Sequence, residues 1–308
     1  MQLRVVDLSR VLAGPVCSMV LGDLGADVIK IERPSSGDET RGWGPPFDRL
    51  GQSAYFLAVN RNKKSLAADL ANDTDRALVL RLIAEADVVV ENFLPGALKK
   101  LGIDADELLD GNPSLVWCTI SGFGPGSPRP GYDFVIQAES GWMSITGERD
   151  GSPMKVGVAL ADVIAGKDAA IAILAAIVER DAGTLDRKRR RIVVSLAASA
   201  LASLVNVAQN VLVSGDDAKR YGNAHPNLVP YQLFDASDRP FVIAVGSDAQ
   251  WLACAKALDL YDLASDTALR TNAGRVGQRD RVVAAIAERA REKNAQHWID
   301  VLDGVNVP

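Results

Sequence analysis

Through the first two thirds of the chain, short β-branched runs that are apolar on both faces alternate with longer stretches whose apolar residues recur at helical spacing. This is the pattern of a buried parallel sheet covered by helices. Residues 4–8, 28–32, 88–91, 115–120 and 192–196 read as the strands. Pro15 suits the first turn of a helix that runs to about residue 24, where Gly25 ends it. A second helix starts with Asp73 and Thr74 as its cap and carries Ala77, Leu78, Leu80, Leu82 and Ile83 toward Val88. A long apolar helix over about 163–179 follows Asp162, and another over about 197–213 follows the last of these strands. From Tyr221 the texture changes to a turn cluster at 222–226, two strand-like runs at 231–234 and 241–245, and then only helices, the last two at about 278–293 and 295–302. The pattern predicts an α/β fold with a boundary near residue 215, giving a large domain over 1–215 and a smaller α+β domain over 216–308.

With 308 residues, 48% of them hydrophobic and 24% charged, the chain has the apolar content for a full core and two domains. Its net charge of −5 and pI near 5.2 argue against a nucleic-acid partner, which needs clustered cations. The one basic run, Arg187 to Arg191, reads as a solvated loop. Residues 169–178, the most apolar stretch, reach roughly half the length of a bilayer crossing and read as a buried helix. Residues 1–7 lead into a strand without the charged start and apolar block of a secretory signal. Cys17, Cys118 and Cys254 are far apart and odd in number, giving neither a disulfide framework nor a zinc site, so the expectation is a cytoplasmic protein. His225 and His297 are the only histidines, and neither lies in a recognisable motif. A Ser-His-Asp triad or an imidazole-based metal centre would have to use one of them, so acid, base or nucleophile falls more naturally to a carboxylate, Tyr, Cys or Lys.

Three stretches carry candidate chemistry. The first strand-to-helix turn, Ser9-Arg10-Val11-Leu12-Ala13-Gly14-Pro15, stands where a dinucleotide fold carries its glycine fingerprint but has only Gly14, which disfavours an NAD-dependent oxidoreductase. Such a turn still points N–H groups at an anion, with Arg33 nearby, or is a plain connection. Asp162 lies immediately before a helix, where it is either an N-cap or a carboxylate able to attack an activated carbonyl; flanking Gly157 and Gly166 permit close approach of a ligand or another backbone. Gly246-Ser247-Asp248-Ala249-Gln250-Trp251 reads either as a strand-to-helix turn capped by Ser247 or Asp248 or as a lid. Pro125 to Gly131 is a loop, and Tyr132 opens the next helical segment.

Taken in order, these segments resemble one family. Arg10-Val11-Leu12-Ala13-Gly14-Pro15 and Leu21-Gly22-Asp23-Leu24-Gly25-Ala26-Asp27-Val28-Ile29-Lys30-Ile31-Glu32-Arg33-Pro34 are similar to the opening of family III coenzyme A transferases of the formyl-CoA transferase and carnitine dehydratase type. Gly37-Asp38-Glu39-Thr40-Arg41, Glu91-Asn92-Phe93-Leu94-Pro95-Gly96, Ser121-Gly122-Phe123-Gly124, Gly131-Tyr132-Asp133 and the stretch from Val156 to Asp162 continue the match over nearly the whole chain. Ala54-Tyr55-Phe56, Val59-Asn60-Arg61-Asn62-Lys63-Lys64-Ser65, Gly222-Asn223-Ala224-His225 and Val229-Pro230-Tyr231-Gln232 resemble the succinate–hydroxymethylglutarate subgroup, which points to dicarboxylic acids.

The resemblance implies a Rossmann-like large domain, a smaller domain, and a homodimer of two interlocked rings. It implies that CoA and acyl-CoA are substrates, with no permanently bound cofactor and no metal, and that CoA contacts Arg10, Val11, Leu12, Arg33, Ala68, Asp69, Leu70, Asn92, Phe93 and Lys100. Ala71 replaces a lysine of the formyl-CoA transferases, which leaves one phosphate contact unfilled. Asp162 matches the nucleophile, Tyr132 an active-site tyrosine, and Gly246, Ser247 and Gln250 a glycine-rich lid reduced here to one glycine. The reaction implied passes CoA from a thioester to a free acid through an aspartyl mixed anhydride and an aspartyl-CoA thioester, its oxyanions held by N–H groups near Gly246 or at the helix following Asp162. An acyl-CoA racemase of the same family would have histidine where this chain has Tyr132; a non-catalytic CoA-binding protein is the other alternative. The family usually continues with a segment returning to the large domain, so the expectation is that the natural product runs past Pro308.

Overall fold

A computed structural model describes residues 3–308, which divide into a unit of residues 3–143 and 155–212 and a second of residues 144–154 and 213–308. A boundary at 215 leaves segment 144–154 with the first domain, whereas its contacts group it with the second.

The first unit is built on six strands: β1 (Arg4–Asp7), β2 (Asp27–Glu32), β3 (Lys63–Ala67), β4 (Val88–Glu91), β5 (Val116–Ser121) and β6 (Arg191–Ser195). Their order is β3-β2-β1-β4-β5-β6, and every pairing is parallel. This is the doubly wound arrangement, whose chain reverses direction across the sheet beside β1 and leaves a crevice at the carboxyl ends of β1 and β4. Alternation along each strand feeds two cores. Val5, Val88, Val90, Val116, Cys118 and Ile120 pack against Ala165, Ala169 and Ile173 of the Leu160–Asp181 helix, while Val6, Val89 and Trp117 face Val79 and Ile83 of the Asp73–Ala84 helix.

The predicted strands all form, within one residue at each end. β3 is the addition: as an edge strand reading Lys63-Lys64-Ser65-Leu66-Ala67 it has a neighbour on one side only and needs no apolar run. Helix ends shift by a few residues. Asn72, not Asp73 or Thr74, caps its helix, accepting from the N–H groups of Thr74 and Asp75. The expected 197–213 helix is two helices, Leu196–Ala202 and Val205–Ser214, bent by 72° at Val205, whose φ is +42°. The basic run is not wholly solvated: Arg190 is buried and donates to the carbonyls of Leu109 and Asn112, each at 2.8 Å. Among the described residues no single helix is long and apolar enough to cross a membrane.

In the second unit β7 (Tyr231–Asp235) and β8 (Pro240–Ala244) form an antiparallel hairpin against helices Asp248–Ala257, Arg279–Ala290 and Ala295–Asp303, around a core of Phe234, Phe241, Ile243, Trp251, Ile286 and Trp298.

Two close approaches in the first unit require glycine. A Cβ on Gly166 would lie 2.5 Å from the Ala13 carbonyl oxygen and 2.9 Å from Val16 Cβ, so the Leu160–Asp181 helix reaches the Ala13–Asp23 helix only because that atom is missing. Gly122 and Gly131 meet backbone to backbone, each occupying the space where the other's Cβ would fall 2.2 to 2.4 Å from Cα. Gly166→Ala is expected to destabilise by about 1–3 kcal/mol, as overpacking does. Gly157→Ala, with no atom within 4 Å of the added carbon, is expected to stay within about 0.5 kcal/mol of wild type, and urea titration of both variants measures the difference.

Candidate active site

The carboxyl edge of the sheet holds a set of buried charges. Asp7 ends β1 with its carboxyl fully buried. Burial pushes its pKa up, but Lys63, Lys30 and the hydroxyls of Ser18 and Ser9 outweigh that and hold it down at about 2. Lys30 Nζ lies 3.0 Å from Asp38 and donates to the Ser9 carbonyl at 2.7 Å. Asp38 accepts from the N–H of Val11 at 3.3 and 3.4 Å and from the Thr40 hydroxyl at 2.8 Å. Glu32 takes a two-pronged bond from Arg41, 2.7 Å on each arm, and another from the Ser65 hydroxyl at 2.6 Å. Val11 is held at φ +72°, a costly conformation for a β-branched residue. The Arg10 backbone is clipped on both sides by Asn92, N–H to Oδ1 at 2.9 Å and Nδ2 to carbonyl at 2.7 Å, which ties the loops after β1 and β4 together.

Asp162 is reached from the other side of this edge. The Gly122–Gly131 contact seats the loop that ends at Tyr132, the N-cap of the Asp133–Glu139 helix. Asp133 Oδ1 accepts from the N–H groups of Ala161 at 2.8 Å and Asp162 at 3.4 Å. Buried Gln137 accepts from Val156 N–H at 2.8 Å and donates to Asp133 at 2.6 Å, pinning the approach to the helix. Asp162 is therefore not the N-cap: the helix begins at Leu160 after Ala159, and the capping carboxyl comes from Asp133, in another segment. Among the described residues nothing hydrogen-bonds the Asp162 side chain. Burial first, and the Asp133 charge second, push its pKa from 3.8 to about 7, against the opposite pull of the helix N-terminus.

Asp162, Tyr132, Arg10, Val11, Leu12, Asn92 and Phe93 line one cavity of about 360 Å³. Arg10 and Phe93, whose guanidinium and ring lie 5.1 Å apart, also line a second of about 200 Å³ with Arg33, Ala68, Asp69 and Leu70. Eleven of the fifteen expected site residues thus fall on two cavities sharing a wall. Lys100 does not: it is exposed at the end of the Ala97–Lys100 helix, and its neighbour Leu101 lines the second cavity instead. Arg33 is exposed and makes no ion pair among the described residues, because Glu32 is engaged by Arg41 and Asp38 by Lys30. Tyr132 is 62% exposed and does not hydrogen-bond Asp162, so the residue that touches the Asp162 segment is its neighbour Asp133. Tyr55 was not anticipated in the site. It packs edge-on against Trp43 with centroids 5.0 Å apart, and burial followed by the Asp162 charge raises its phenol pKa. Its place in a quoted motif was the available signal.

Gly246, Ser247 and Gln250 belong to the second unit. Ser247 caps its helix by accepting from Gln250 N–H at 3.2 Å, Gln250 Oε1 takes the Gly246 N–H at 3.0 Å, and Gln250 Nε2 donates to the Asn306 carbonyl at 3.1 Å. The expected oxyanion donors are accordingly committed: Gly246 N–H to Gln250, Leu160 N–H to Val158, Ala161 and Asp162 N–H to Asp133, and Val163 N–H to Ala159. Among the described residues, no group of three or more His, Cys, Asp or Glu side chains is placed to hold a metal ion.

The model of CoA-transferase family III matches residues 1–308. The succinyl-CoA:glutarate CoA-transferase of Mus musculus is 42% identical over 308 residues, covering 99% of this chain and 70% of that protein. The succinate–glutarate CoA-transferase of Agrobacterium fabrum is 40% identical over 314 residues, covering 99% and 78%. A CaiB/BaiF family protein from Brucella suis, known from its crystal structure, matches with a TM-score of 0.83 and 44% identity, covering 99% of this chain and 82% of that one.

A carboxyl whose pKa is raised by folding binds its proton more tightly in the native state. Its contribution to stability is full below 3.8 and is lost as pH rises toward about 7, where the buried group must ionise. Asp162→Asn is therefore expected to be more stable than wild type at pH 8, by up to a few kcal/mol, with a smaller gain at pH 5. Thermal unfolding at the two pH values measures the difference.

Proposed function

The chain belongs to CoA-transferase family III and is a CoA-transferase; on that premise we propose that Asp162 is its nucleophile and that dicarboxylic acids are its donors and acceptors. The observation that carries the reading is the state of that carboxyl: partly buried, free of hydrogen bonds, raised to about 7, and on the wall of a cavity adjoining the one that Arg33 lines. A carboxylate accepting several hydrogen bonds would be a weak nucleophile, whereas a desolvated one attacks readily.

An Asp162 oxygen attacks the thioester carbonyl of the donor, the C–S bond breaks, and a mixed anhydride forms with release of CoA thiolate. The thiolate attacks the aspartyl carbonyl, expelling the donor acid and leaving an aspartyl-CoA thioester. The acceptor carboxylate displaces CoA as a second anhydride, and the thiolate then takes the new acyl group and frees Asp162. Asp133 holds the segment, and Tyr132 positions the acid. The oxyanions need donors released from their present partners, such as the N–H groups of Ala161 and Asp162 now held by Asp133. Arg33 takes a phosphate or the adenine end of CoA, having no ion-pair partner among the described residues. Support for dicarboxylic acids comes from the relatives, named for succinyl-CoA or succinate and glutarate.

We also propose the interlocked homodimer and a cytoplasmic setting. The Val205–Ser214 helix supports the first, since none of its residues is buried and Leu212 and Val213 are each 78% exposed, the kind of apolar surface a partner covers. Light scattering is expected to give a dimer; an active monomer would rule the arrangement out.

Asp162→Ala is expected to lose transfer of CoA between succinyl-CoA and glutarate while remaining folded, and hydroxylamine to trap an aspartyl adduct in the native protein only. Near-native turnover by the variant would remove Asp162 from the mechanism. In wild type, the rate with limiting acyl-CoA is expected to fall about tenfold per pH unit below about 7, as Asp162 protonates. Arg33→Ala is expected to raise KM for acyl-CoA roughly tenfold or more with kcat little changed, because a uniform binding contact is lost.

A further inference from the structure

The second unit contains a cavity of about 680 Å³ with a cationic floor, and no part of it belongs to the site described above. Arg279 is its centre. The guanidinium lies 5.1 Å over the Tyr221 ring, and Nη2 donates to the carbonyls of His225 and Pro226 at 3.0 and 2.8 Å. Nη1 is buried and has no hydrogen-bond partner. Burial presses the Arg279 pKa down, and among the described residues no carboxylate is paired with it. An unmatched N–H on a partly desolvated cation costs more than a neutral orphan does, so the site is organised for an acceptor that carries charge.

The surroundings deepen the imbalance. Arg220 also lines the cavity, and it is fixed by carbonyls alone, those of Ser144, Glu148 and Gly151 at 3.1, 3.2 and 2.7 Å, so its charge is not neutralised. Lys219 on the rim has no partner among the described residues. The other two cations are balanced, Arg149 by Asp280 at 3.2 Å and Arg281 by Asp266 at 2.7 Å. Among the described residues Asp150 is the one unpaired carboxylate on the lining. Three unneutralised cations thus face one acid, on a chain whose net charge is −5. Non-specific attraction of anions to such a chain is weak, so a local excess of this kind selects for a specific one.

We propose that this cavity binds a multiply charged small oxyanion, a polyphosphate or polycarboxylate, held by Arg279 and Arg220 beneath and Lys219 at the rim. Its volume falls in the range of small-molecule sites.

Isothermal titration of the full chain with pyrophosphate, and separately with citrate, at fixed ionic strength tests this. Saturable binding of at least one anion is expected, weakened roughly tenfold or more by Arg279→Met, as the loss of one charge-assisted contact implies, and unchanged in Arg33→Ala. Binding of pyrophosphate alone assigns the site to phosphates, and of citrate alone to polycarboxylates. Arg279→Met removes two structural bonds, so the exposed double variant Arg149→Glu/Lys219→Glu provides the same test if it fails to fold. The proposal is overturned if wild type gives no heat beyond a chloride control. It is equally overturned if every folded variant binds as wild type does, or if binding is lost in Arg33→Ala, which would put the anion in the first unit. None of these readouts depends on transfer activity.

Discussion

The geometry of the carboxyl edge depends on the pairing of Lys30 with Asp38, both fully buried, and of Lys63 with Asp7 beside them. Buried ion pairs add little net stability over an apolar core, because desolvation offsets most of their attraction. What these pairs fix is position. Lys30 also grips the Ser9 carbonyl and Asp38 the Val11 N–H, so two loops that would otherwise be free are locked to strands β1 and β2. The left-handed conformation of Val11 survives because that contact over-determines it. Removing either partner would leave a bare charge in the interior and release the loop, so the network acts as a unit.

Against this background of matched charges, those left unmatched become informative. Glu32 is satisfied by Arg41, Ser65 and the Asp38 N–H and is held at about 2, whereas Asp162 stands at about 7. Helix dipole, burial and a neighbouring carboxyl all act on Asp162, and the outcome shows that desolvation dominates where no hydrogen bond reaches the oxygens. The same contrast separates Arg275 from Arg279 in the second unit. Arg275 is buried but has Asp248 at 2.9 Å and carbonyls on its remaining nitrogens, while Arg279 keeps one nitrogen empty.

The legible parts of the sequence were those with a local physical signature. β-branched runs marked five of the strands of the sheet, the edge strand β6 among them; β3, at the other edge, reads Lys63-Lys64-Ser65-Leu66-Ala67 and carries no such run. The position of Asp162 ahead of an apolar helix was visible, and of its two readings the N-cap falls away, since the cap arrives from Asp133, 29 residues earlier. Tertiary caps leave no mark at the position they serve. For the same reason a continuous apolar pattern over 197–213 concealed the break at Val205, and the long-range neighbours of Arg190 turned a run of surface charge partly inward. The cavity residues were assembled by family likeness, and spacing alone would not have joined Arg33 to Asn92.

With Asp162 as the proposed nucleophile, its burial has a further consequence. The displacement of its pKa from 3.8 to about 7 measures how strongly the cavity disfavours a negative charge there. An anhydride or thioester at the same carbonyl carries no charge, so it escapes that penalty. On the proposed mechanism the site therefore lifts the free carboxylate without lifting either covalent derivative, which would narrow the gap between the resting enzyme and its reactive adducts. Acyl transfer between carboxylic acids of similar strength releases little free energy, and an enzyme whose ground state lay far below its anhydrides would be trapped at rest. On the proposed mechanism, a single desolvated carboxyl, left without the hydrogen bonds that surround Glu32 and Asp7 in the same unit, avoids that trap.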